Sequence, residues 1–81
     1  MYSFLTVLNE SSQVLSAFCD GEPLVFDVLP REKSKPLRIM YGSVHTVIKN
    51  GREKVIFDLW LPIKKETSHT LCVHDTSFDF T

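Results

Sequence analysis

The histidines and the acids near them are the first candidates for chemistry in this sequence. His45 and Asp58 fall on the same side of a predicted hairpin, where a carboxylate can bond an imidazole and fix its tautomer. Ser43 is close enough to suggest a nucleophile, but a flat strand offers no oxyanion site. No nucleophile elbow, glycine-rich phosphate loop or HExxH motif accompanies these residues. We therefore expect no catalytic residues and no enzyme.

A second candidate is a metal site near the end of the chain. Cys72 and His74 share one side of the last predicted strand, and His69 lies just before that strand. Zinc accepts thiolate and imidazole ligands, but structural sites use four ligands at characteristic spacings, and Cys-x-His alone is not such a motif. We therefore predict no metal and no cofactor. Two cysteines do not make a disulfide framework, so Cys19 and Cys72 are interpreted as small buried apolar residues.

The basic residues are concentrated in the middle of the chain. All nine lie between Arg31 and Lys65 and face only three acids there, which gives residues 31–65 a charge of +6. Residues 1–30 carry −4 and residues 66–81 carry −3, so the net charge is −1. Such asymmetry is typical of a protein with an anionic partner. Six residues are predicted to gather at one end of the central hairpin as an anion-binding group: Arg31, Lys33, Lys35, Arg38, Lys64 and Lys65.

The element that must position these groups is a long β-hairpin, RIMYGSVHTVIKNGREKVIFDLWLPI, from Arg38 to Ile63. Asn50-Gly51 predicts a two-residue type I′ turn. This register sets Val44 opposite Phe57 and makes one face nearly all apolar, whereas a three-residue loop spoils that face. Gly42 lacks a side chain where one should pack, so it predicts a bulge or a sharp bend.

The other face of the hairpin carries the predicted partner-binding residues Tyr41, Ile56 and Trp60. If this face is open, it is an apolar patch of the kind that marks a partner surface, with the aromatic residues as anchors. If other strands or a helix cover it, the face is a second core layer. Self-association is the simplest way for a chain of 81 residues to bury it.

The remaining segments predict further strands at residues 2–8, 24–29 and 70–80. Residues 13–19 are ambiguous: they could form a strand, or a short helix capped by Ser11 or Ser12 and ended by Gly21. We favour the strand, because seven residues are short for a helix. The sequence thus predicts a single domain, residues 1–81, of the all-β class. Its form is a small antiparallel barrel or sandwich of five or six strands, with one short helical turn near Ser11 to Cys19 as the alternative.

No apolar run reaches the roughly 18 residues that a membrane span needs, and the first residues do not resemble a secretory signal, so a cytoplasmic location is expected. We expect a small non-enzymatic interaction or accessory protein, of the kind that viruses and phages encode. It would self-associate and bind a protein partner through the apolar hairpin face and the basic end. The alternative is a small β-barrel that binds nucleic acid with basic loops and exposed aromatics, which the net negative charge weakens.

Overall fold

A computed structural model describes residues 2–81, and within that range it contains eight β-strands and no helix. The strands form two sheets of four, here called the first sheet (β4-β1-β7-β8) and the second sheet (β3-β2-β5-β6). The all-β prediction is confirmed, and residues 15–19 form a strand rather than the alternative helical turn. The strands are β1 (Ser3–Asn9), β2 (Leu15–Cys19), β3 (Glu22–Val28), β4 (Leu37–Ile39), β5 (Gly42–Asn50), β6 (Val55–Ile63), β7 (Ser68–Val73) and β8 (Phe78–Phe80).

The structure has eight strands instead of five or six because two predicted strands are each broken in the middle. β4 and β5 are separated by Met40 and Tyr41 and belong to different sheets. Gly42 follows this break with a φ of 117°, so the predicted bend at this residue is confirmed. β7 and β8 are likewise separated by a turn in which the His74 N–H donates to the Ser77 carbonyl at 2.8 Å.

Gly42→Ala is expected to lower the free energy of unfolding by about 1–3 kcal/mol, because a side chain is strained at this positive φ. A Cβ at Gly42 would have no heavy atom within 4 Å, so the loss reports backbone strain alone. Gly51→Ala is the control, since Gly51 does not have a positive φ and a Cβ there would meet only Val14, at 3.9 Å. Urea unfolding of both variants checks the prediction, which an equal loss in the two would contradict.

The loop between β5 and β6 is not the predicted two-residue type I′ turn, so that prediction is wrong. The Glu53 N–H donates to the Asn50 carbonyl, and the Asn50 N–H donates to the Lys54 carbonyl, both at 2.9 Å. Glu53 has a φ of 60°, whereas Gly51 does not have a positive φ. This is a three-residue loop with a turn followed by one left-handed residue. The Asn50 side chain favours it, because its Oδ1 accepts the N–H groups of Arg52 and Lys54 at 2.9 and 3.0 Å.

The longer loop changes the register of the hairpin, but it changes the faces only at Val55 and Ile56, next to the loop. Val44 pairs with Leu61 rather than with Phe57, so the predicted register is wrong by four residues. Because side chains alternate with a period of two, a shift of four leaves the side chains from Phe57 to Ile63 on their predicted side. The register also shifts between Ile48 and Lys49. This shift leaves Ile56 as the extra residue of a bulge, where it packs against the core.

The sequence predicted an antiparallel domain, but the first sheet contains one parallel pair of strands, so this part of the prediction is wrong. β1 and β7 run parallel, from Phe4 opposite Ser68 to Asn9 opposite Val73. In the second sheet, β3 is an edge strand, although its apolar sequence predicts an interior position. Both differences concern contacts between segments far apart in the chain, which short-range patterns do not encode.

One hydrophobic core is shared by the two sheets. Its buried members come from β1, β4 and β7 of the first sheet and from β2, β5 and β6 of the second sheet. Each sheet therefore turns one face toward the same core. The other face of each sheet points away from it. None of the described residues forms a helix that could cross a membrane. The buried residues of the core are Leu5, Val7, Leu15, Ala17, Ile39, Val44, Ile48, Leu61, Ile63, Leu71 and Val73.

Candidate functional site

The outer face of the second sheet carries a row of aromatic and apolar side chains that crosses all four strands. The alternation of β5 explains its origin: Val44, Thr46 and Ile48 are buried, so the residues between them point to the other side of the sheet. We call this surface the aromatic face. Its residues are Phe18 on β2, Phe26 on β3, His45 and Val47 on β5, and Trp60 on β6.

Neighbouring strands bring these side chains into contact. Phe18 and Val47 are cross-strand partners, and the rings of Phe18 and Phe26 meet edge to face with centroids 5.8 Å apart. On the other side of β5, His45 and Trp60 are partners. Their rings are stacked at 4.8 Å with planes inclined by 23°. The face is therefore continuous from β3 to β6.

Asp58 fixes the orientation of the His45 ring. The His45 Nε2 lies 2.5 Å from the Asp58 Oδ1, so the predicted contact between these residues is found. Asp58 pairs with Val47, which makes the contact with His45 a diagonal one across the two strands. The carboxylate on one side and the indole on the other hold the imidazole in place. The arrangement thus pre-orders Trp60, which reduces the side-chain entropy that binding would cost.

The aromatic face is open at both ends. Trp60 is 66% exposed and Phe26 is 60% exposed, so neither anchor is covered by another element. At the β3 end, the face adjoins a groove of about 410 Å³ that is lined by Phe18, Phe26, Lys49 and Arg52 among others. Of the two alternatives for the second face of the hairpin, an open patch and a second core layer, Trp60 belongs to the open patch.

The three predicted partner-binding residues do not come together. Trp60 lies on the aromatic face, whereas Ile56 packs against the core. Tyr41 lies at the corner where the chain changes sheets, with the Lys65 Nζ over its ring at 5.0 Å. Sequence reasoning missed Phe18 and Phe26. The burial of Leu15 and Ala17 turns Phe18 outward, and that alternation was the one available signal.

The predicted anion-binding residues fall into two groups rather than one. The Ser3 hydroxyl donates to the Lys64 carbonyl, which places the base of the hairpin beside the start of β1. Arg38 lies there too, as the partner of Phe4, and its guanidinium sits 4.5 Å over the Tyr2 ring. Arg38, Lys64 and Lys65 therefore share this end.

Residues 30–36 do not arrive at the base of the hairpin as predicted; they run along the edge of β1. The Arg31 N–H donates to the Asn9 carbonyl at 2.6 Å, at the far end of that strand. Lys33 bridges Leu8, and Lys35 follows on the way to β4. Arg31, Lys33 and Lys35 thus form a basic stripe along the edge of the first sheet instead of joining Lys64.

The outer face of the first sheet holds a different set of polar groups. In the part of the chain that the structure describes, one group of three metal-ligating side chains comes together, namely Cys72, His74 and Asp79. Burial raises the pKa of the Cys72 thiol, and the negative charges of Glu10 and Asp79 raise it further. The surroundings of Cys72 are therefore electronegative.

No protein-family model matches this chain, and a comparison with curated proteins finds no match either.

Proposed function

We propose that this protein is a non-enzymatic interaction module that forms a two-fold dimer through the aromatic face. The observation that carries the proposal is the exposed, pre-ordered Trp60 at the end of a continuous aromatic row. Trp and other aromatic residues dominate the binding energy of most interfaces when they are packed in their centre. We infer that the two sheets pack face to face as a β-sandwich around their shared core, which leaves the outer face of the second sheet available to a partner.

The size of the patch supports an interface. Aromatic side chains bury roughly 150–250 Å² each when they are fully covered. Trp60 and Phe26, with Phe18 and Val47 between them, therefore give an apolar patch on the order of a few hundred Å². Patches of that size on small proteins are commonly functional.

The charges of the face favour a second copy of this chain as the occupant. β2 lies on one side of β5 and β6 lies on the other. A two-fold axis along β5 would therefore set β2 of one copy over β6 of the other. The Lys49 Nζ lies over the Phe18 ring at 4.8 Å, on the β2 side, while the Asp58 carboxylate lies on the β6 side. Each Lys49 would thus face the Asp58 of the second copy.

Light scattering is expected to give a mass close to twice the 9.3 kDa of one chain. Trp60→Ala should weaken the dimer at least about 30-fold, because loss of an aromatic anchor that is buried in the interface costs about 2 kcal/mol or more. Since Trp60 is the one tryptophan in the sequence, its fluorescence should also become less accessible to a soluble quencher as the concentration rises. Dilution series of both proteins provide the dissociation constants.

Met40→Ala is the matched control, since Met40 is 59% exposed but lies at the corner between the sheets rather than on the aromatic face. It should leave the dimer unchanged. A wild-type mass of one chain at every concentration would contradict the proposal. So would a dimer that Trp60→Ala and Met40→Ala weaken equally.

Binding of nucleic acid is the rival function, and the cation–π contacts argue against it. The ring faces of Tyr2, Tyr41 and Phe18 are each covered by a basic side chain, so they are less available for base stacking. We expect no salt-dependent binding to labelled single-stranded DNA or RNA. Binding that falls steeply with salt, and that Lys64→Glu with Lys65→Glu reduces, would instead favour the rival.

A further inference from the structure

The β7–β8 hairpin gathers a thiol, an imidazole and a carboxylate on the outer face of the first sheet. Cys72 on β7 and Asp79 on β8 are cross-strand partners. His74 follows two residues after Cys72, and because Leu71 and Val73 are buried, Cys72 and His74 point to the same outer side. This surface belongs to the other sheet from the aromatic face, so what it binds is independent of the proposed dimer.

The distances within this group resemble those of a tetrahedral zinc site. With zinc about 2.3 Å from sulfur and about 2.0–2.2 Å from nitrogen and oxygen, tetrahedral ligands lie about 3.6 Å (S to N) and about 3.4 Å (N to O) apart. The Cys72 Sγ lies 3.6 Å from the His74 Nε2, and that nitrogen lies 3.0 Å from the Asp79 Oδ2. All three ligand atoms lie within 4.8 Å of one another. Shifts of about 1 Å or less would therefore bring them to zinc-binding distances.

We propose that Cys72, His74 and Asp79 bind a zinc ion, with water in the fourth position. The sequence predicted no metal because Cys-x-His supplies only two ligands. The β7–β8 hairpin supplies the third ligand, Asp79, which is the cross-strand partner of Cys72. Thiolate and imidazole favour zinc over the oxygen-seeking ions magnesium and calcium. Cys72 binds as the thiolate, so its proton passes to solvent. Three protein ligands and one open position are the arrangement of zinc sites that exchange a bound molecule.

Two features of the surroundings support the proposal. Glu10 places a further negative charge near Cys72, and its N–H donates to the Val73 carbonyl at 2.8 Å, so an additional carboxylate lies beside the group. The turn after His74 is also tied down, because the Ser12 N–H and hydroxyl both donate to the Asp75 Oδ1, at 2.9 and 2.8 Å. A turn held in this way keeps His74 close to Cys72 without metal.

Titration of the whole protein with Co²⁺ as a spectroscopic substitute for zinc tests the proposal. One ion per chain should bind, with a thiolate-to-cobalt charge-transfer band and the visible bands of tetrahedral cobalt, and zinc should displace it. Loss of a residue that merely orients a ligand costs about 10–100-fold in metal affinity, so His74→Ala and Asp79→Ala should each weaken binding at least about 100-fold. Cys72→Ser should abolish the charge-transfer band.

Two controls use the other residues of the same types. Cys19→Ser removes the second thiol, and His45→Gln removes the histidine of the other histidine–aspartate pair. Neither should change the affinity or the spectrum. The proposal is overturned if the wild-type protein binds no zinc or cobalt, or if Cys72→Ser keeps the charge-transfer band. It is equally overturned if a control variant loses the metal as fully as His74→Ala, with folding of each variant verified by its unfolding transition.

Discussion

Asn9→Ala is expected to lower the free energy of unfolding by about 4 kcal/mol, since each buried polar group that loses its partner costs about 1–3 kcal/mol. A protein of this size has a total stability on the order of 4–12 kcal/mol. The substitution should therefore lower the melting temperature by at least about 15 °C. A loss this large from one exchange of a polar residue requires that its side chain be both buried and fully bonded.

Asn9 meets both conditions. It is fully buried at the end of β1, and its Nδ2 donates to the carbonyls of Gln13 and Val28 at 2.7 and 2.8 Å. Its Oδ1 accepts the Ser11 N–H at 2.9 Å and the Ser11 hydroxyl at 2.6 Å. The side chain thus joins the end of the first sheet to β3 of the second sheet and shapes the loop that leads into β2.

Asn50→Ala is the matched control, because it deletes the same side chain at a half-exposed position where water can replace the lost partners. It removes the contacts of Asn50 with the loop N–H groups and with Gln13, and should cost about 1 kcal/mol. Urea unfolding followed by circular dichroism compares the two variants. Losses of similar size would show that Asn9 is not the central polar contact between the sheets.

The hairpin shows which part of the fold could be predicted from sequence. Apart from Val55 and Ile56 at the bulge, the alternation from Gly42 to Ile63 correctly predicted which side chains face the core, because alternation is a property of each strand alone. The register was wrong because it depends on the loop. There the side chain of Asn50 bonds the N–H groups of Arg52 and Lys54, which favours a longer loop than the dipeptide Asn50-Gly51 predicts.

The candidate site was predictable to the same extent. His45, Asp58 and Trp60 share one hairpin, so their common side followed from alternation, and the contact between His45 and Asp58 is found. Phe18 and Phe26 were missed because they reach the site through the pairing of β2 with β5, which joins segments remote in sequence. The basic residues were misplaced for a similar reason. Residues 30–36 bond along β1, and no local pattern indicates that route.

Leu71→Ala is expected to lower the free energy of unfolding by about 3 kcal/mol, because truncation of a fully buried leucine loses its transfer free energy and leaves a cavity. Leu71 is fully buried in β7. It lies between Val7 of β1, its parallel partner, and Phe80 of β8, its antiparallel partner. The substitution therefore acts where the parallel and antiparallel parts of the first sheet meet.

Leu29→Ala is the control for Leu71→Ala, since Leu29 is 48% exposed and surface substitutions usually change stability by less than about 0.5 kcal/mol. A double-mutant cycle with Val7→Ala then tests the parallel pairing itself. Residues in contact couple by about 0.5–3 kcal/mol, whereas distant residues act additively. If Val7 and Leu71 are neighbours, their cycle is non-additive, while the cycle of Leu71 with Leu29 is additive. Additivity in both cycles would contradict the pairing of β1 with β7, and with it the placement of the outer face that carries Cys72.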